Sequence, residues 1–221
     1  MSGEGAAGSR ALETGAGQLC IRRGILMVVS GPSGSGKTTL CHRLAEQDPG
    51  VWYSISCTTR PARPGEEDGV DYRFLDREDF ERRVHHGEFL EHAKVHQRDF
   101  YGTLRAPVVE RLCQGIDVVM DLDVQGAAQL RECQDLEIRQ AMVDIFILPP
   151  SIEELIARVR LRGPMAAEEE QRRMVNAHAE MAHWKEYDYH LVSRDRESDF
   201  ARFQSIVDAE RMRSARWERG V

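Results

Sequence analysis

The stretch Gly31-Pro32-Ser33-Gly34-Ser35-Gly36-Lys37-Thr38 constrains this chain more than any other. It has the spacing G-x-x-x-x-G-K-[ST] and lies between the apolar run Ile25-Leu26-Met27-Val28-Val29 and Leu40, Leu44 and Ala45 at helical spacing. That order reads strand, glycine loop, helix. A loop of this spacing turns successive backbone N–H groups toward one point, and the helix behind it adds the positive end of its dipole. The object expected at that point is a nucleotide phosphate. Lys37 stands as a point charge near its terminal phosphates, and the Thr38 hydroxyl supplies one coordination position for a magnesium ion. The loop alone leaves the phosphate's destination open between water, protein, a sugar and another nucleotide.

At 221 residues the chain is expected to be one domain with room for a substantial core. Its 30 Lys+Arg against 37 Asp+Glu give a net charge of −7, which disfavours a non-specific hold on nucleic acid or anionic membrane. Arginines that bind phosphate must therefore be locally clustered. Five cysteines, odd in number and without a C-x-x-C pair, predict reduced thiols and a cytoplasmic protein. No apolar run approaches the length of a membrane span. Arg22-Arg23 before an apolar stretch imitates the start of an export signal, but that stretch stops at Ser30 and reads better as the first core strand.

Along the chain, residues 1–22, rich in Gly, Ala, Ser and Glu near the start, read as a disordered tail, and the remainder, 23–221, as the folded unit. The helix after the loop should stop at Asp48-Pro49-Gly50. Residues 52–56 look extended, and Thr58 to Glu66 form a proline-rich loop carrying Arg60 and Arg63. Asp76 is placed to cap a short helix closing at Gly87, residues 88–95 read as a strand, Tyr101-Gly102-Thr103 as a turn, and Pro107 opens a helix running to Gly115. A buried strand over 116–121 ends in Asp121, the carboxylate expected to hold magnesium directly or through its water. Residues 143–148 form a further core strand closed by Pro149-Pro150. Ser151 and Glu154 fit a capping box for a helix with Arg158 and Arg162 one turn apart, which Gly163-Pro164 breaks. A helix resumes over 168–184, followed by a short strand at 189–192 and an amphipathic helix from Ser198. Alternating strands and helices predict a parallel sheet covered on both faces.

Several separate blocks then resemble one family. Ser54-Ile55-Ser56, Thr58-Thr59-Arg60, Arg63-Pro64-Gly65-Glu66, Gly69 and Asp71-Tyr72, with Phe89-Leu90-Glu91-His92-Ala93 and Tyr101-Gly102-Thr103, are similar to the GMP-binding segment of guanylate kinases. Asp121-Leu122-Asp123-Val124-Gln125-Gly126, Ile147 to Ser151 and Glu186-Tyr187-Asp188-Tyr189 resemble further blocks of that family in the same order. The resemblance implies the reaction ATP + GMP ⇌ ADP + GDP with Mg2+, GMP or dGMP as acceptor, and the P-loop nucleoside monophosphate kinase fold. That fold is α/β, a parallel sheet core flanked by helices, with a mobile GMP-binding region, here about 55–105, and a helical lid, about 151–183. Carried over by position, Gly31, Pro32, Ser33, Gly34, Ser35, Gly36, Lys37, Thr38 and Thr39 would bind ATP. Ser56, Glu91 and Thr103 would contact guanine with Asp123 nearby, and Arg60, Arg63, Tyr72 and Tyr101 would hold the GMP phosphate. Thr38 and Asp121 would serve the metal, and Lys37, Arg158, Arg162 and Arg173 the transfer itself. One departure stands out: Val192-Ser193-Arg194-Asp195 occupies the place of the family's usual Val-Asn-Asp-Asp, whose asparagine is associated with the adenine of ATP. Residues 96–100 also differ from the commoner Gly-Asn-Tyr pattern before Tyr-Gly-Thr.

The chemistry agrees. Guanine presents N1–H and N2–H₂ side by side next to the O6 acceptor, so one carboxylate with hydroxyls forms a complementary set. Adenine offers an acceptor at N1, which a carboxylate such as Glu91 repels. Rival readings fare less well. His85, His86, His92 and His96 lack the cysteine or carboxylate that would complete a metal-ligand spacing. Cys57 suggests an oxidation-sensitive thiol only by its place in a loop. Asp123 to Gly126 matches the D-x-x-G element of GTPases, but the one asparagine, Asn176, is followed by alanine and not by the lysine of a guanine-reading Asn-Lys-x-Asp. A catalytically dead scaffold of the same fold is expected to degrade the loop, which is intact here. A sugar-phosphate kinase has no use for the guanine-reading set.

Overall fold

The computed structural model describes residues 11–13, 19–95, 98–160 and 166–219. In chain order they form β1 (Ala11–Glu13), β2 (Leu19–Arg22), β3 (Leu26–Ser30), α1 (Lys37–Gln47), β4 (Val51–Tyr53), β5 (Cys57–Thr58), β6 (Arg73–Phe74), α2 (Arg77–His85), β7 (Phe89–Val95) and β8 (Asp99–Leu104). There follow α3 (Arg105–Cys113), β9 (Asp117–Asp121), α4 (Val124–Glu132), α5 (Leu136–Ala141), β10 (Met142–Leu148), α6 (Ile152–Arg160), α7 (Ala167–Met181), β11 (Tyr189–Val192), α8 (Arg196–Met212) and β12 (Trp217–Arg219).

The central sheet has the order β11-β10-β3-β9-β4, and every pair is parallel. Its strands are apolar without alternation because both faces are covered. Successive residues then divide between two cores. Ile25, Met27 and Val29 pack with Leu40 and Leu44 of α1 and with Phe200, Phe203 and Val207 of α8. Leu26 and Val28 pack on the other side with Val108 and Leu112 of α3, Ala127 and Leu130 of α4, and Ile138 of α5. The glycine loop thus leaves a strand fixed from both sides, at the carboxyl edge where open α/β sheets bind ligands.

A second sheet, β6-β5-β8-β7, is mostly antiparallel and stands beside the core. It corrects one expectation: Tyr101-Gly102-Thr103 is no turn but the middle of β8, where Gly102 lies opposite both Cys57 and His92. A strand paired on both sides overrides the local turn chemistry of a glycine. Cys57 likewise belongs to a strand, fully buried, with burial pushing its thiol up to about 11, and so lacks the thiolate character an oxidation sensor needs.

The expected tail requires correction at 11–13 and 19–22, while residues 1–10 and 14–18 lie outside the described residues. Ala11–Glu13 and Leu19–Arg22 are strands, and β2 pairs antiparallel with both β1 and β12. What holds this small sheet to the core is a buried charge. Arg22 is 2% exposed and donates to Asp117 at 2.6 Å, while Asp117 also accepts from Arg211 at 2.7 Å and from the Ile25 amide. Helices α4 and α5, which the sequence reading leaves undivided from their surroundings, begin at side-chain caps from Asp123 and Asp135. The expected helix break at Gly163-Pro164 lies outside the described residues.

Candidate active site

Helix α1 starts directly at Lys37, so its free N–H groups face the loop. Gly34 is required twice over. Its φ is +96°, and a Cβ there would lie 2.8 Å from Val159 Cγ2 and 3.3 Å from Leu155 Cδ1. Helix α6 therefore sits on the loop itself. Lys37 Nζ donates to the Gly31 carbonyl at 2.5 Å and to the Pro32 carbonyl at 3.3 Å, which curls the loop around its ammonium. Desolvation there lowers the Lys37 pKa, opposed by the charges of Asp121 and Glu180.

Asp121, at the end of β9, accepts from the Thr38 hydroxyl at 2.6 Å and from the Tyr53 hydroxyl at 2.5 Å. Burial first, and Asp121 next, push the Tyr53 phenol far above its ordinary range, so it stays a donor and fixes the carboxylate. Thr38, Asp121, Asp123 and Lys37 line one cleft with Gly31, Gly34 and Glu180. Asp123 is committed in part to the Gly126 amide at the start of α4. Sequence reasoning missed Tyr53 and Glu180. Neither sits in a motif, and only the pairing of β4 with β9 and the packing of α7 bring them here.

Glu91, in β7, is only 5% exposed and accepts from the Thr103 hydroxyl of β8 at 2.8 Å. Burial is the main cause that pushes its pKa up to about 7, with the charge of Asp123 adding and Thr103 opposing. Its other oxygen lies against Gly126, where a Cβ would come within 2.9 Å, so the glycine after Asp123 is what lets α4 approach the carboxylate. Gln129 secures the same junction, exchanging hydrogen bonds with the His92 backbone. Ser56 is half-buried just before β5.

Arg60 extends from the loop after β5. It donates to the Tyr101 hydroxyl at 3.2 Å, lies 5.3 Å from the Tyr72 ring centre, and forms a two-bond fork with Glu66. That fork, with the Arg63 amide, lowers the Glu66 pKa to about 2. Arg60, Tyr72 and Tyr101 are thus brought together as expected, whereas the Arg63 side chain is exposed. Glu66, quoted in the motif without a role, pre-sets the orientation of Arg60.

Of the arginines expected in a lid, Arg158 on α6 lines a second cavity together with Gly34, Gly36, Thr38 and Thr39. Arg173 on α7 pairs with Glu169, one turn earlier. Arg162 lies outside the described residues. Among the described residues no group of three His, Cys, Asp or Glu is placed to hold a metal; His96 of the histidine-rich stretch lies outside those residues.

The family model described as guanylate kinase matches residues 23–210. The chain belongs to the guanylate kinase family. Guanylate kinases from Paramagnetospirillum magneticum and Alkalilimnicola ehrlichii are 47% and 49% identical to it over 195 residues, covering 88% of this chain and 89% and 93% of theirs. The crystal structure of guanylate kinase from Anaplasma phagocytophilum superposes with a TM-score of 0.73 at 36% identity, over 89% of this chain and 90% of that one. The guanylate kinase match spans the glycine loop, the four-stranded sheet with Glu91, and α6 and α7 together.

Proposed function

We propose that the chain transfers the γ-phosphate of ATP to GMP or dGMP, giving ADP and GDP or dGDP. One observation carries the acceptor's identity: a buried carboxylate, Glu91, with a hydroxyl donor already at one oxygen and within the field of Asp123, which lines the loop cleft. Such a group is costly unless a ligand supplies donors, and the paired N–H groups of guanine are such donors. Arg60, Tyr72 and Tyr101 would hold the acceptor phosphate, with Arg63 reaching in from the surface.

Thr38 and Asp121 offer the hydroxyl and carboxylate oxygens that suit a hard divalent cation. They would hold Mg2+, which supplies neutralisation of charge on the phosphates. Lys37 and the lid arginines 158, 162 and 173 bring fixed positive charge to the transferring group, which asks for alignment more than for covalent help. In this reading the regions 55–105 and 151–183 close over the two nucleotides and exclude water. No helix of the described residues is long and apolar enough to cross a membrane, and the free thiols of Cys41, Cys57, Cys113 and Cys133 fit the reducing cytoplasm to which this reading assigns the chain. A coupled ADP-release assay with GMP, dGMP, AMP, UMP and ribose phosphates offered in turn tests the proposal. Turnover confined to the guanine nucleotides is expected, and equal or greater turnover with a sugar phosphate contradicts it.

A further inference from the structure

The cavity that Arg158 shares with the glycine loop is also lined by Ser193, Arg194 and Asp195 between β11 and α8 and by Asp199 of α8. Ser193 there is 4% exposed and Asp199 6% exposed. The Ser193 hydroxyl donates to Asp199 Oδ2 at 2.9 Å and accepts from Arg158 Nη1 at 2.9 Å. A carboxylate can only accept, so the single hydroxyl proton is committed to Asp199 and the oxygen's lone pairs are left facing the guanidinium. Asp199 is itself fixed. It accepts from the Arg194 amide through both oxygens, at 2.9 and 3.0 Å, and from Arg202 at 2.7 Å. The chain of bonds therefore has one sense, and each link strengthens the acceptor of the next. On the other side, Leu155 and Val159 bury α6 against Gly34, so Arg158 is held between the loop and Ser193.

We infer that Ser193, backed by Asp199, is a positioning residue that holds the Arg158 guanidinium over the donor phosphates. The inference rests on the phosphotransferase reading above. It gives a role to the residue at which this chain departs from its family's usual asparagine, and that role acts through Arg158 and not through the donor base.

The test is a double-mutant cycle on turnover with ATP and GMP. Ser193→Ala is expected to lower kcat about 10-fold, the scale of one hydrogen bond to a charged group, with KM for GMP unchanged. Ser193→Cys, which fills nearly the same space with a weaker acceptor, is expected to lose kcat as well. In an Arg158→Ala background, adding Ser193→Ala should change kcat no further. Losses that multiply independently in the double variant, or a parent-like kcat in Ser193→Ala, overturn the inference. The two readings fail differently: a parent protein that releases no ADP with GMP removes the phosphotransferase, whereas an active parent with independent losses removes only the role of Ser193.

Discussion

Glu91 is ionised only against the preference of its surroundings. Burial holds its pKa near 7, against an ordinary value of 4.5 in the unfolded chain. Between those pH values the folded state keeps a proton that the unfolded state releases, so the contribution to stability is complete below about pH 4.5 and is lost as pH rises through 7. The loss amounts to about 3 kcal/mol. Glu91→Gln should abolish it, so that the variant's Tm gains on the parent's between pH 5 and pH 8, and parallel pH dependence of the two would refute the assignment. Guanine donors need the carboxylate form, so GMP affinity of the parent should rise over the same interval and level off above it. At this scale little of the site is legible without the family resemblance. Phe89 to Val95 is an alternating strand, and nothing in its pattern says that Glu91 and not Glu88 faces inward opposite Thr103. Tyr53 and Glu180 are less legible still, since they serve the site through pairings between distant elements.

Elements tell more. The glycine loop is readable because its chemistry fixes residue types at fixed spacing between a strand and a helix, and β3 and α1 follow as expected. Caps at Asp76 and Ser151 are equally local signals, and both accept the expected amide, from Asp79 and Glu154. Strand β8 fails the local test because its conformation is dictated by β5 and β7 on its two sides. The loop between β5 and β6 shows both cases: prolines identify it as irregular, but the fork from Arg60 to Glu66 is visible only in three dimensions. An incoming phosphate would compete for that fork. Arg60→Lys retains charge and loses the two-pronged geometry. KM for GMP should rise about 10-fold, on the scale of one charge-assisted hydrogen bond, while KM for ATP stays at the parent value. Equal shifts for both nucleotides in initial-rate measurements would remove Arg60 from the acceptor phosphate.

The whole molecule is a parallel sheet that carries its site at one edge and is tied together elsewhere by charge. Alternating strands and helices made that sheet predictable; the ties were not, because a buried ion pair has no sequence period. Asp117, fully buried, joins Arg22 of β2 and Arg211 of α8, and Arg211 also reaches Asp48 beyond α1. Asp117→Asn keeps the shape and leaves two guanidinium groups facing a neutral amide. Denaturant unfolding should show a loss of about 3–5 kcal/mol with turnover per folded molecule unchanged, and a loss below 1 kcal/mol would mean that the pair is dispensable. Closure, as proposed, belongs to this scale too: α7 carries Arg172 and Arg173 at the surface, paired with Glu169, and in that reading Arg173 moves inward to act. Amide exchange across residues 167–181 should slow when a bisubstrate analogue is bound, and unchanged exchange there would argue for a static site. Under the proposed function, a phosphotransferase built on this loop selects its acceptor by the buried carboxylate of β7. Steady-state kcat/KM for GMP and for AMP, in the parent and in Glu91→Gln, tests it most directly. An amide cannot accept from both guanine donors, so the GMP/AMP ratio is predicted to fall by roughly 10- to 100-fold with ATP affinity retained. A ratio that stays at the parent value would contradict the account.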